Sequence, residues 1–98
     1  MGHACEFEAA MMLHLAPGLV DLSKASTIYP ETGSAYLSTD LVKGSRVATY
    51  LDFADLSPTG VLGDPALATA ERGEAFFTAC ADALARFTED FATWPIER

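Results

Sequence analysis

Basic residues are scarce in this chain: six Lys and Arg stand against 14 Asp and Glu, a formal net charge of −8 over 98 residues. A nucleic-acid backbone binder needs clustered cations to release counterions, and an anionic membrane surface makes the same demand, so neither is an expected partner. No apolar run approaches the roughly 20 residues that span a bilayer. Nor is a secretory leader expected at this N-terminus, because Glu6 and Glu8 interrupt the would-be apolar stretch and no basic region precedes it. Cysteine is equally sparse. Cys5 and Cys80 make no disulfide framework, and two reduced thiols fit the cytoplasm, which is the compartment expected. What is plentiful is apolar content: half the residues are hydrophobic and 20% are charged, the balance of a folded chain rather than a disordered one.

Periodicity predicts two helices. Phe7, Met11 and Leu15 recur at i, i+4 and i+8 across Glu6 to Leu15, with Ala10 and His14 flanking that stripe. Glu6 and Glu8 complement the dipole in the first turn, His14 does so near the C-terminus, and Pro17-Gly18 ends the element. The second helix is long and ends near Thr93. Asp64 before Pro65 and Thr69 before Glu71 both carry start signals, and Thr69 is the expected cap. Phe76, Phe77, Cys80, Leu84, Phe87 and Phe91 form its apolar stripe, with Cys80 expected in the core and Trp94 packing at the helix end.

Between the helices the reading is thinner. Leu19, Val20 and Leu22 form a short apolar patch that is expected to pack. Ser23 to Ser45 is punctuated by Pro, Gly, Ser and Thr and reads as a long loop, the kind that is functional or covers something. Arg46 to Phe53 reads as the one clear strand, on the β-branched and aromatic content of Val47, Tyr50, Leu51 and Phe53. A lone strand leaves its backbone groups unpaired, and four Phe on one helix face have little sheet to lie against. The chain is therefore expected not to be self-sufficient.

The chemistry-bearing stretch is Gly2-His3-Ala4-Cys5-Glu6-Phe7-Glu8, a histidine and two carboxylates within six positions at a helix start. It resembles the His-Ala-Gly-Glu-x-Glu-Thr motif of the creatininase (creatinine amidohydrolase) family. Thr59-Gly60-Val61-Leu62-Gly63-Asp64-Pro65, followed by Ala68-Thr69-Ala70-Glu71-Arg72-Gly73, resembles that family's Gly-Val-x-Gly-Asp-Pro turn and following helix. Met11-Met12-Leu13 and Leu19-Val20-Asp21 also sit where the family has similar residues.

The resemblance implies an α/β fold: residues 1–98 would be the C-terminal part of a three-layer α/β/α domain, with two main helices and few strands. It also implies hydrolysis of an amide or cyclic amide C–N bond with divalent metals (zinc, manganese or iron), often in hexamers. On the matching positions, His3 is the catalytic candidate facing the substrate, and Glu8 is the metal candidate. Cys5 stands where the family has glycine, and Ala9 where it has threonine. The family's principal metal ligands come from an N-terminal Glu-x-His, a following Asp and a Gly-rich loop with His. No Glu-x-His occurs here, and His3 and His14 are the only histidines.

The implied partners are therefore that missing N-terminal half or homologous subunits, together with a small-molecule amide. The alternative is a non-catalytic remnant or interaction module that folds on a partner chain. Three other residues have plainer readings. Glu6 is expected to be a solvated first-turn carboxylate, because it points about 200° away from Glu8 around the helix. Asp64 opens the turn into the second helix. A Cys5–His3 nucleophilic dyad lacks an orienting group and an oxyanion hole, so Cys5 reads better as a small residue facing the interior.

Overall fold

Three helices carry the regular structure of the computed structural model, which describes residues 1–96: α1 (Glu6–Leu15), the single turn α2 (Phe53–Leu56) and α3 (Ala70–Phe91). Short 3-10 turns at Pro17–Leu19, Leu22–Lys24 and Pro65–Leu67 punctuate the connections. Both expected long helices form within their anticipated limits. Thr69 caps α3 by accepting from the Arg72 N–H at 3.2 Å. Asp64, the competing signal, is used too: it caps the Pro65–Leu67 turn by accepting from Ala66 N–H at 3.1 Å. The duplicated start signals thus serve two consecutive elements.

The central packing event is α1 against α3. Gly73 is buried at the crossing, and a Cβ there would overlap the Ala10 carbonyl, so the two backbones touch. Ala10, fully buried, is small for the same reason. Phe7 lies against Phe76 with ring centroids 4.7 Å apart, and His14 lies beside Phe77 at 6.0 Å. Such pairs add about 1 kcal/mol each beyond the area they bury. Helix α1 is not fully covered by this packing; Met12 and Leu15 stay exposed on its surface.

No strand forms among the described residues. The expected strand at Arg46–Phe53 is instead exposed coil: Arg46 and Val47 both donate to the Tyr36 carbonyl, and α2 begins at Phe53. The physical reason is the one that made a lone strand suspect: no described segment runs alongside to pair with it. The three-layer α/β/α arrangement is accordingly not formed by these residues. What exists of sheet is two antiparallel bridges, His3 with Leu62 and Ile28 with Gly63. The Leu62–Gly63 dipeptide therefore lies between two other segments and bonds to both.

Two further expectations need correction. The Leu19–Val20–Leu22 patch packs only in part: Leu19 is 80% exposed and Leu22 also exposed, while Val20 is half-buried. Cys80 is also exposed, because α1 covers only the N-terminal part of the α3 stripe. Beyond it Leu84, Phe87, Phe91 and Trp94 face outward, the last three touching one another at centroid distances of 5.1–6.1 Å. Trp94 does close the helix end as expected, its indole N–H donating to Asp90 at 2.8 Å.

Apart from Leu62, the buried residues are small: Cys5, Ala10, Ser57, Gly63, Pro65, Ala68 and Gly73. The chain has a radius of gyration of 16.8 Å, where a compact domain of this length has about 13 Å. Its accessible surface is 7329 Å², against about 5,400 Å² for a compact domain of this mass.

Candidate functional site

His3 is held by its backbone. Its N–H donates to the Leu62 carbonyl at 3.1 Å and its carbonyl accepts from the Leu62 N–H at 2.8 Å. Ala4 then turns the chain with φ +47°, the left-handed region that L-residues adopt at a penalty. Cys5 follows in extended geometry as the α1 N-cap, with its side chain 2% exposed. Any residue can hold that conformation, so the family's glycine is dispensable at this position; the strained residue is its neighbour. The buried thiol packs on Gly63, where a Cβ would come within 2.7 Å of the Cys5 Cβ and of Glu6 Oε2. This closeness, together with φ +134°, makes glycine obligatory at 63.

Cys5 offers no hydroxyl or carboxylate to cap α1, and Glu8 takes over. Its carboxylate reaches back to the Ala4 N–H at 2.5 Å, a variant of the capping box in which the third helical residue satisfies an upstream donor.

Glu6 behaves differently from its expected solvated role. Its Oε2 accepts from the Asp64 N–H at 2.9 Å, and its side chain is only 22% exposed. Asp64 in turn accepts from the Thr27 hydroxyl at 2.9 Å. One carboxylate thereby fastens the helix start to the Gly63-Asp64-Pro65 turn, 58 positions away in sequence. The signal for this contact was the co-occurrence of the two motifs, not the helical wheel of either.

Around this junction negative charge accumulates. Asp40 accepts from the N–H groups of Lys43 and Val42 and from the Met1 ammonium at 3.1 Å, with the Lys43 bond first in weight, and its carboxyl is held below the usual range. Tyr29 is pushed upward, by desolvation first and then by the charges of Glu6, Asp64 and Asp40. An open concavity within the loop Tyr29–Arg46 adjoins this junction through Tyr29 and Asp40, but neither His3 nor Glu8 lines it.

The structure therefore places His3 and Glu8 on either side of the Ala4–Cys5 turn, both exposed. A ring contact not foreseen from sequence brings Phe53 to His3, with centroids 5.2 Å apart. The aromatic-rich segment that contains Phe53 had read as a strand, which concealed it.

The profile of the creatininase family, described as creatinine amidohydrolase, matches residues 1–88. The chain belongs to the creatininase family. Searches of curated proteins and of solved structures return no match. Membership gives an amidohydrolase-type function and an α/β fold class, in a family that is generally metal-dependent. The residues of this creatininase-family chain do not by themselves fit a metal. Glu8 is engaged as a backbone cap, and among the described residues no three His, Cys, Asp or Glu side chains gather to hold an ion. A catalytic zinc ordinarily takes three protein ligands.

Proposed function

We propose that this chain is the C-terminal part of a creatininase-type amidohydrolase domain, and that His3 faces the substrate while the remaining metal ligands are supplied by other residues of the enzyme. The observation that carries this reading is the junction of the two motifs. His3 is clamped to Leu62 by two backbone hydrogen bonds, and the adjacent turn is fastened by Glu6, so the imidazole stands at a fixed place with its ring exposed. An imidazole so placed can donate or accept a proton at a substrate C–N bond, or stabilise charge there. Glu8, exposed on the other side of the Ala4–Cys5 turn, is the carboxylate this chain would add to a metal set assembled elsewhere, through the oxygen that the Ala4 N–H does not engage. No step of the reaction is assigned through that metal, because these residues do not make the site.

The substrate class is an amide or cyclic amide, and the reaction is hydrolysis of its C–N bond. Alone, the chain is expected to be inactive and to hold no stoichiometric zinc. The test is co-expression with an N-terminal segment of a family enzyme that carries the Glu-x-His and Gly-rich motifs. Hydrolysis of a panel including creatinine is then measured, with metal content per chain. Activity that appears in the complex and is lost in His3→Gln supports the reading. A lone monomer that unfolds cooperatively and keeps one tightly held metal would overturn it.

A second reading, a non-catalytic module that folds on a partner, is favoured by the outward-facing Leu84, Phe87, Phe91 and Trp94. It predicts that His3→Gln leaves every property of the complex unchanged.

A further inference from the structure

A functional histidine is usually oriented by a hydrogen bond from one ring nitrogen to a carboxylate or carbonyl. Among the described residues no group hydrogen-bonds the His3 ring; its distinctive neighbour is Phe53, perpendicular to it at 86°. Phe53 is 42% exposed, but its backbone is fixed. Asp52 caps α2 by accepting from the Ala54 N–H at 2.9 Å, and the Phe53 carbonyl accepts from the Ser57 N–H at 3.0 Å. Ser57, 4% exposed, donates its hydroxyl to the Val61 carbonyl at 2.6 Å. Val61 precedes Leu62, the residue that bridges His3. The backbones of Phe53 and His3 are thus joined through Ser57, Val61 and Leu62 by hydrogen bonds and one peptide link.

We infer that Phe53 is a positioning residue for His3: its ring restricts the imidazole to one orientation, closes one side of approach and leaves both ring nitrogens open to a reacting molecule. The inference rests on the reading of His3 as the substrate-facing group. Packing here performs the part that a hydrogen bond performs in other sites. The arrangement has a chemical advantage, since neither nitrogen is consumed in holding the ring, and one can donate while the other accepts.

The experiment uses the whole chain and its two histidines, His14 serving as the internal control. Their ring C–H signals are followed by NMR, with His14→Gln for assignment. The rate at which His3 is acylated by diethyl pyrocarbonate is measured alongside. Phe53→Ala is expected to move the His3 signals toward those of free imidazole and to raise its acylation rate about fivefold, the factor an aromatic pair of ordinary strength is worth. His14 signals and helical circular dichroism stay as they were, and Phe53→Tyr restores the original behaviour.

Unchanged His3 signals and rate in Phe53→Ala would overturn the inference, as would free-imidazole His3 signals in the unsubstituted chain. Should Phe53→Ala disturb His14 as well, Asp52→Ala decides. It releases the cap but keeps the ring, and is expected to shift His3 in the same direction by less; no shift in that variant overturns the inference. Hydrolysis enters neither readout. A His3 with no part in the reaction would therefore be recognised separately, by an assembled enzyme that keeps its activity in His3→Gln.

Discussion

Glu6 and Glu8 sit two positions apart at one helix start and do different work. Glu8 closes a local donor, a contact that any helix could make for itself. Glu6 accepts from a backbone N–H across most of the chain, in a partly desolvated place. Hydrogen bonds to charged groups contribute about 1.5–3 kcal/mol when shielded, toward the low end here because water still reaches the carboxylate. Glu6→Gln keeps the shape but not the charge, and is expected to lower stability by about 1 kcal/mol in urea titration. Glu8→Gln should change it by less than half as much. Equal losses would mean that Glu6 does not fasten the turn.

Asp40 gives a pH-dependent counterpart. Its folded-state carboxyl lies below the ordinary value near 4. Its contribution is therefore present above that unfolded value and is lost as pH falls through the lower, folded one. Asp40→Asn is expected to flatten the fall of the urea midpoint below about pH 4; an unaltered acid limb would refute this assignment. The role of Asp40 was hidden in the sequence, because its partners are backbone donors of the Asp40–Gly44 turn and the distant Met1 ammonium rather than any motif.

At the scale of elements, the helices were legible because they are specified locally. Periodic apolar residues, Thr69 and Pro17-Gly18 each act within a turn or two of themselves. The strand was misread for the converse reason. Val47, Tyr50 and Leu51 have strand propensity, but a strand exists only with a neighbour, and propensity gives no information about neighbours. The candidate site falls between these cases: His3 and the Gly63-Asp64 turn were each visible, whereas their hydrogen-bonded junction and Phe53 depend on how the chain returns on itself.

The α1–α3 crossing offers a contest of magnitudes. Gly73 lies inside a helix, where alanine would gain about 1 kcal/mol in propensity. Against that, a methyl group at this position would run into the Ala10 carbonyl, which belongs to backbone and cannot rotate aside. Overpacking of this kind costs about 1–3 kcal/mol or more. Gly73→Ala is expected to be net destabilising by about 1 kcal/mol or more and to weaken the Phe7–Phe76 contact, read by thermal unfolding and near-ultraviolet dichroism. A stabilised variant would show that the helices do not approach as closely as described.

For the molecule as a whole, the apolar residues are distributed in an unusual way. Small side chains occupy the interior, while Leu84, Phe87, Phe91 and Trp94 are 43–64% exposed along α3. A buried Leu→Ala change costs about 2–5 kcal/mol, whereas Leu84→Ala in this chain alone is expected to cost less than about 0.5 kcal/mol. In the co-expressed complex of the proposed enzyme the same substitution should reach the buried range. Equal small effects in both settings would leave α3 without a covering layer and argue against that assembly. The shortage of internal partners was already readable from four Phe on one helix and a single candidate strand.

The clamp between His3 and Leu62 also defines what may vary. Everything from the end of α1 to Val61 leaves and re-enters at two anchored points, with Ile28 bonded to Gly63 part-way along. Doubling the length of a flexible connection adds only about 0.6 kcal/mol of closure entropy. Segments between Ile28 and Asp40, and between Leu41 and Asp52, can therefore be exchanged or lengthened at little thermodynamic expense, provided that the bonds of Asp40 and Leu41 to Met1 and the Phe53 contact are kept and the imidazole holds its station. The junction divides the sequence into a part that natural variation must leave in register and a part it is free to rewrite.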